Sequence, residues 1–284
     1  MQQSSATLRN PVDGFEFYTQ TWKDAKAKIE KVVVIQHGFG EHSGRYQNLI
    51  AALEGQKAAV YALDARGHGK TPGKRGHISD FNLYASDLAV LVKKARDENK
   101  GVPIFLLGHS MGALIATLTA QKPEVASELS GLILSSGAFK PALDTVQAIK
   151  KAVGTFLAQF APALTVPAGL DVNLISRDAN VVQAYVNDPL VHDKISLKMG
   201  VDLFATGKAL IEQASRITLP VLVFHGDADG IAQVEGSKEF FQALSSKDKT
   251  LKIYPGFYHE TMNEPYADRK QVLQDVVDWI NKHV

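Results

Sequence analysis

The amino-acid sequence predicts an α/β fold: a mostly parallel central sheet flanked by helices, with a helical cap inserted into the chain. Short apolar runs alternate with longer segments in which apolar residues recur every three or four positions, the pattern of strands connected by helices. The alternation stops over residues 137–217 and then resumes. Polar side chains follow several of the apolar runs, at the strand ends where parallel sheets bind their ligands.

Size and composition exclude several classes of protein. The chain has 284 residues, 45% hydrophobic and 21% charged, with a formal net charge of +1, which gives no electrostatic reason to expect a nucleic-acid partner. The absence of cysteine excludes disulfides, thiolate metal sites and cysteine nucleophiles. The sequence has neither an apolar leader nor an uncharged apolar stretch of about 18 residues, so we expect a cytoplasmic protein.

The first half of the chain predicts five strands and three helices. The strands are short and apolar, and the helices carry apolar residues at spacings of three and four. In chain order the strands are expected at residues 15–19, 32–36, 58–63, 104–107 and 132–135, and the helices at 46–53, 83–97 and 111–121.

The same alternation returns near the end of the chain. Strands are expected at residues 221–225 and 251–254, and helices at 234–244 and 266–282. The chain therefore divides into a first core part, a cap and a second core part, over residues 1–136, 137–217 and 218–284.

The cap region is interpreted as helical pieces separated by Pro162, Pro167, Gly169 and Pro189. Between residues 143 and 160 apolar side chains recur at helical spacing. Two interpretations stay open: a helix that covers the core, or a partly exposed lid that makes peripheral membrane contact. A second subunit would bury the same surface, so the sequence does not define an oligomeric state.

A serine lies between a predicted strand and a predicted helix, in the pentapeptide Gly108-His109-Ser110-Met111-Gly112. A serine on such a sharp turn has its hydroxyl pushed out of the sheet, as in a nucleophile elbow. The flanking glycines suit a turn this tight, since a Cβ would resist the backbone angles that it requires. The alternative is a buried serine on an ordinary strand-to-helix turn.

A serine nucleophile needs a general base and a group that orients this base. On this fold the chain order is serine, acid, histidine, which favours His259 as the base, although a lone histidine is often structural. Asp227 and Asp229 both follow a buried strand, and the residues alone do not decide between them.

An acyl-transfer intermediate also needs two converging donors for its oxyanion. Met111, the residue after the serine, supplies one backbone N–H by position. The segment His37-Gly38-Phe39-Gly40 follows an early strand, and its Phe39 N–H suits the second role. The alternative for this segment is a plain strand-to-helix turn.

Five segments together resemble the monoacylglycerol lipases of the α/β-hydrolase fold and the lysophospholipases grouped with them. They are HGFGEHSGRY (37–46), ALDARGHGKTPG (62–73), FLLGHSMGALIA (105–116), HGDADGIAQVEGSKEF (225–240) and LKIYPGFYHETMNEP (251–265). The resemblance implies a catalytic triad of Ser110, Asp229 and His259, with Phe39 and Met111 as oxyanion donors.

The same resemblance implies a polar pocket for a glycerol head group, formed by Glu41, Arg45, His109 and Tyr185. Arg45 has an alternative role as the i, i+4 partner of Glu41 on a helical turn, and His109 has one as a residue that fills the turn.

The sequence thus predicts a serine hydrolase that cleaves monoacylglycerols to fatty acid and glycerol through an acyl-enzyme on Ser110. A lysophospholipase or a general carboxylesterase is the alternative on the same triad. A peptidase, a haloperoxidase, a dehalogenase and a non-catalytic receptor are further alternatives, but a dehalogenase needs aspartate where Ser110 stands. No metal or cofactor is expected, and a histidine base with an unperturbed pKa predicts that activity falls well below about pH 6.5.

Overall fold

An eight-stranded sheet forms the centre of the molecule. The computed structural model describes residues 1–24, 26–142 and 154–284. The sheet comprises β1 (Gln2–Arg9), β2 (Glu16–Lys23), β3 (Lys31–Gln36), β4 (Ala58–Leu63), β5 (Ile104–His109), β6 (Gly131–Ser135), β9 (Val221–Gly226) and β10 (Lys249–Tyr254). Two further strands, β7 (Thr165–Pro167) and β8 (Lys194–Ser196), pair with each other in a separate antiparallel ribbon.

The strand order across the sheet is β1-β2-β4-β3-β5-β6-β9-β10. β1 pairs with β2, and β2 with β4, in antiparallel directions, whereas the remaining pairs are parallel. All residues of β3, β4, β5, β6 and β9 are buried, which explains their continuous apolar runs. The predicted α/β class with a mostly parallel sheet is confirmed.

Helices cover both faces of the sheet. They are α1 (Gln47–Leu53), α2 (Asn82–Glu98), α3 (Met111–Ala120), α4 (Pro123–Ala126), α5 (Ala179–Asn187), α6 (Leu197–Glu212), α7 (Val234–Ala243) and α8 (Tyr266–Lys282). Alternate residues of β3 supply two separate cores: Val34 packs in the cluster that contains α2 and α3 residues, and Val33 packs in the cluster that contains α1 and α8 residues. Of the helices within the described ranges, none combines the length and hydropathy of a membrane-spanning segment.

All seven predicted strands are present, and residues 58–63 and 266–282 match their elements to the residue. The N-terminal strand β1 was not predicted. Its residues are mostly polar and exposed, and it pairs with β2 alone, so it carries no alternation of buried and exposed positions. The strand predicted at residues 15–19 extends further, to Lys23.

The segment between β6 and β9 contains α5, α6 and the β7–β8 ribbon. Helical pieces were predicted here, but the ribbon was missed because its strands have only three residues each. Most of the helix predicted between residues 143 and 160 lies outside the described residues; residues 154–157 are helical. The cap boundaries at 137 and 217 stay a prediction.

Contacts to loops at the carboxyl ends of the strands hold this segment against the sheet. The His192 N–H donates to the Gly40 carbonyl at 2.9 Å, and the Ser196 N–H donates to the Gly76 carbonyl at 2.8 Å. His42 Nε2 lies 2.9 Å from Asp188 Oδ2. The segment between β6 and β9 therefore lies over the carboxyl ends of the strands, where ligands of parallel sheets bind.

The first turn of α3 packs against the end of β3 so closely that a side chain at Gly112 has no room. A Cβ there would lie 2.3 Å from the Gln36 carbonyl oxygen and 2.5 Å from that of His37. At Gly200, in α6, an added Cβ would meet only the Ile195 side chain, at 3.8 Å.

We expect Gly112→Ala to lower the free energy of unfolding by about 1–3 kcal/mol, because backbone must shift to admit the methyl group. The matched change Gly200→Ala should leave it unchanged or raise it by up to about 1 kcal/mol, since alanine favours a helix over glycine. Urea unfolding of the two variants measures the difference; equal midpoints would contradict the prediction.

Candidate active site

Ser110 forms the single-residue connection between β5 and α3. Its φ is +54° and its ψ is −119°, a region that a residue with a Cβ adopts only at a cost. The Ser110 N–H donates to the Ser135 carbonyl at 2.9 Å. The turn is so tight that a Cβ on Gly108 would lie 2.2 Å from the Gly112 carbonyl oxygen. The neighbouring strand and the two glycines therefore hold Ser110 in this conformation.

The loop after β3 passes directly beside the serine. A Cβ on Gly38 would lie 3.2 Å from Ser110 Cβ, so the backbone that leads to Phe39 is in contact with the elbow. Within the part of the chain that the structure describes, the Phe39 and Met111 N–H groups donate to no protein acceptor. Two backbone donors beside a serine hydroxyl are what an oxyanion requires.

His259 and Asp229 come together from two different loops. Asp229 follows β9, His259 follows β10, and His259 Nδ1 lies 2.6 Å from Asp229 Oδ2. Because a carboxylate can only accept, Nδ1 donates and Nε2 is left as the basic nitrogen. The His259 N–H donates to the Leu174 carbonyl at 3.3 Å, so the cap helps to hold this loop.

His259 lies near the elbow. Its ring centroid is 4.8 Å from that of His109, the residue before the serine. Among the described contacts, Ser110 Oγ and His259 do not share a hydrogen bond. Hydrogen bonds between a nucleophile and its base are often long before substrate binds and tighten in the complex. The structure thus brings the serine loop and the histidine loop together, and their hydrogen bond stays a prediction.

Four hydrogen bonds surround the Asp229 carboxylate. Oδ1 accepts the N–H groups of Ile231 and Ala232 at 2.7 and 2.9 Å, and Oδ2 accepts from His225 Nε2 at 2.8 Å as well as from His259. Burial alone would raise the pKa of Asp229, but the charge of His259 and the hydrogen bonds from both histidines lower it below its usual range. Asp229 is therefore ionised at neutral pH.

Asp227, the alternative acid, faces a different partner. Its Oδ1 accepts the Gly256 N–H at 2.6 Å and ties the two loops together. His225 was missed by the sequence analysis. Its spacing four residues before Asp229, at the end of a buried strand, was the available signal.

The two neighbouring imidazoles differ in their pKa. Burial opposes protonation of His259, but the charge of Asp229 and its hydrogen bond outweigh burial and raise the pKa of His259 above 6.5. Burial and the nearby His259 lower the pKa of His109 to about 4. His109 is therefore neutral at physiological pH, whereas the pKa of His259 is higher than that of an isolated histidine.

The predicted head-group residues meet in a buried ionic cluster beside the elbow. Glu41 accepts from the Gly38 N–H at 2.7 Å and from Arg45 Nη1 at 2.9 Å. Arg45 also binds both oxygens of Glu260, at 2.6 and 2.9 Å, and its guanidinium lies 4.6 Å from the centre of the Tyr185 ring. The alternative pairing of Arg45 with Glu41 is thus present.

The two glutamates of the ionic cluster share a single cation, Arg45. Although burial opposes ionisation, Arg45 is the strongest of the influences that lower the pKa of Glu41 to about 2. The cavity against Glu41, Arg45, His109 and Glu260 has a volume of only about 10 Å³, room for about one water molecule. Glu260, directly after His259, was not predicted as a partner of Arg45, because only the fold brings the two loops together.

A larger cavity of about 240 Å³ opens at Ser110 and is mostly apolar. Ser110, Phe39 and Met111 lie at one part of its wall, and the rest comes largely from the cap and from the segments beside it, among them Ala138, Pro141, Val166, Leu170, Leu203 and Phe204. In residues 1–24, 26–142 and 154–284 there is no group of three or more histidine or acidic side chains arranged to hold a metal ion. The cavity suits an apolar chain.

Comparison with known proteins gives similarity over nearly the whole chain. Residues 27–266 match the family described as serine aminopeptidase, S33. The chain is 39% identical over 255 residues to a monoacylglycerol lipase of Mycolicibacterium smegmatis, with 89% of each chain covered. It is 31% identical over 271 residues to a monoglyceride lipase of Homo sapiens, with 95% of this chain and 88% of that protein covered.

Solved structures show the same similarity. A soluble variant of monoglyceride lipase from Saccharomyces cerevisiae, in complex with a substrate analogue, aligns with a TM-score of 0.87 at 28% identity and covers 96% of this chain and 93% of that one. A monoacylglycerol lipase of Paleococcus ferrophilus aligns with a TM-score of 0.81 at 34% identity over the full length of both chains.

We expect NMR titration of the imidazole resonances to place the pKa of His259 above 6.5 and that of His109 near 4. Asp229→Asn should lower the pKa of His259, because the charge that stabilises the imidazolium is removed. Asp227→Asn is the matched control and should leave it unchanged, since Asp227 bonds to Gly256 instead. A His259 that titrates alike in both variants would contradict the assignment of Asp229 as its partner.

Proposed function

This chain belongs to the serine aminopeptidase S33 family, and we propose that it is a serine ester hydrolase whose substrates are monoacylglycerols. One observation carries the proposal: Ser110 lies on a strained turn in the wall of a mostly apolar cavity, beside two backbone N–H groups that have no acceptor among the described residues. The resemblance to monoacylglycerol lipases, 39% identity in one relative, supports this substrate class.

The first step transfers the acyl group to the enzyme. His259 Nε2 accepts the Ser110 hydroxyl proton as Oγ attacks the ester carbonyl carbon, and the carbonyl oxygen becomes an oxyanion bound by the Phe39 and Met111 N–H groups. When this intermediate collapses, the bond to the glycerol oxygen breaks and His259 returns the proton to the leaving oxygen. Asp229 remains ionised throughout and stabilises the imidazolium.

The second step releases the fatty acid. A water molecule gives a proton to His259 Nε2 while its oxygen attacks the acyl carbon, and the same two N–H groups bind the second oxyanion. Collapse breaks the bond to Ser110 Oγ, which takes the proton back from His259. Because His259 must be neutral at the start of each step, the raised pKa of His259 implies that activity falls as the pH drops through a value above 6.5.

The two regions beside Ser110 match the two halves of a monoacylglycerol. The apolar cavity of about 240 Å³ takes the acyl chain. We place the glycerol head on the side of the elbow that carries His109 and the Tyr185 hydroxyl, beside Glu41, which Arg45 holds in place. Because the free volume there is only about 10 Å³, these side chains must move apart to admit it.

A peptidase fits the site less well than an ester hydrolase. An aminopeptidase needs a carboxylate to bind the free amine of its substrate, and Glu41 and Glu260, which line the small cavity with His109, are both paired with Arg45. A lysophospholipase or a general carboxylesterase remains the alternative on the same triad.

Ser110→Ala should lower the rate of monoacylglycerol hydrolysis by at least about 1,000-fold, because the nucleophile is lost. Ser127→Ala, which changes an exposed serine, is the matched control and should retain the wild-type rate. Release of fatty acid from monoacyl, diacyl and triacyl glycerols, from lysophospholipids and from an aminoacyl anilide distinguishes the classes. An intact rate in Ser110→Ala, or a preference for the anilide, would reject the proposal.

We further propose that the cap makes peripheral contact with lipid surfaces. Phe156 and Phe160 are 60% and 74% exposed, their ring centroids lie 5.5 Å apart, and Leu164 and Leu170 nearby in the sequence are also exposed. A cluster of large exposed apolar side chains on the element that covers the acyl cavity is suited to contact with the membrane that contains the substrate.

Phosphatidylcholine vesicles should bind the double variant Phe156→Ser, Phe160→Ser at least about tenfold more weakly than wild type, since two phenyl groups no longer enter the lipid. Val12→Ser, at an apolar residue of the core part that is 77% exposed, should bind as wild type does. Flotation of protein with vesicles measures binding, and equal flotation of all three proteins would reject the membrane contact.

A further inference from the structure

We propose that His225 is a positioning residue of this site, which holds the Asp229 carboxylate in the orientation that His259 requires. The inference rests on the proposed function and deepens it. The triad accounts for one histidine on Asp229, but the structure places a second one on the same oxygen.

The two oxygens of Asp229 accept hydrogen bonds from different kinds of donor. Oδ1 is fixed by two backbone N–H groups of its own loop. Oδ2, which His259 Nδ1 contacts at 2.6 Å, also accepts a hydrogen bond from His225 Nε2 at 2.8 Å. Among the described residues His225 and His259 are the two donors to Oδ2, so His225 supplies the one direct bond to that oxygen that does not depend on the base, in addition to the constraint from Oδ1.

The neighbours of His225 define its tautomer. Nε2 faces Asp229 Oδ2 and, at 3.1 Å, the Ala232 carbonyl; both are acceptors, so Nε2 carries a hydrogen. In neutral His225, Nδ1 is then an acceptor, and Ser237 Oγ at 2.8 Å donates to it. Ser237 on α7 thus orients His225, and His225 orients Asp229.

His225 and Ser237, the two side chains that orient Asp229 in sequence, are each 0% exposed. A buried polar side chain costs free energy unless its polar atoms are bonded, and here both ring nitrogens of His225 are bonded. An apolar residue would fill the same space at the end of β9 without that requirement. The hydrogen bond to Asp229 is what a histidine adds at this position.

The hydrogen bond from His225 to Asp229 also affects the basicity of His259. His225 shares the charge of Oδ2, so its removal leaves more of that charge to stabilise the imidazolium of His259. The other groups that face His259 are Glu260 on its own loop, Glu41 after β3 and His109 at the end of β5, and Arg45 pairs with both glutamates. None of these contacts Asp229 Oδ2.

Three variants test the inference on a water-soluble short-chain aryl ester. His225→Phe removes the donor and keeps a ring, His225→Gln keeps an N–H donor at the position of Nε2, and Ser237→Ala removes only the group that orients His225. For each variant kcat and KM are measured between about pH 5 and 9, and folding is checked by urea unfolding.

His225→Phe should lower kcat about 10- to 100-fold, the range for loss of a hydrogen bond to a charged group, with KM changed less than about twofold. The acid limb of its pH profile should move up, because His259 becomes more basic. His225→Gln should return kcat to within about threefold of wild type and should restore the limb. Ser237→Ala should shift both readouts in the same direction by a smaller amount.

Equal losses in His225→Gln and His225→Phe would overturn the inference, as would a folded His225→Phe with the wild-type kcat and acid limb. If His225→Phe does not fold, kcat and the acid limb are compared between His225→Gln and Ser237→Ala. Wild-type values in both variants would then overturn the inference. NMR titration of His259 in each variant measures the effect of the His225–Asp229 hydrogen bond on the pKa of His259 without an activity assay. An inactive wild-type enzyme would reject the proposed function alone, whereas an unmoved His259 pKa in His225→Phe would reject the positioning role alone.

Discussion

The site depends on one close backbone approach, in which α3 starts directly against the end of β3. A Cβ added at Gly112 would lie only 2.3 Å from the Gln36 carbonyl oxygen, so the backbones of the two segments are in direct contact. This contact brings the loop with Phe39 against Ser110, and Phe39 and Met111 both lie at the cavity that Ser110 lines. The dense burial of the central strands keeps the contact rigid, since a packed interior resists shifts of even one methylene group.

Electrostatics divide the site into regions of different chemistry. Four donors bind the Asp229 carboxylate, whereas Glu41 and Glu260 share one cation, Arg45. The cavity at Ser110 has few polar groups. A carbonyl bound there lies in surroundings of low dielectric constant, where fixed dipoles act more strongly on a developing charge than they do in water.

The sequence was most informative where one pattern determines one element. The buried strands at residues 58–63 and 104–109 and the terminal helix appear as apolar runs or helical repeats, and the glycines around Ser110 have a local steric reason. It was least informative where distant loops meet. Nothing local to Arg45 indicates Glu260, 215 residues later, and the role inferred for His225 depends on which oxygen of Asp229 faces it. Exposed, polar β1 and the three-residue strands of the ribbon lack a period altogether.

The backbone conformation at Ser110 favours catalysis at a cost in conformational stability. Glycine tolerates a φ of +54° at less cost than any residue with a Cβ, so a chain selected only to resist heat would carry glycine at this turn. Serine at this turn therefore costs some conformational free energy, and packing of the sheet and the helix around it must offset that cost.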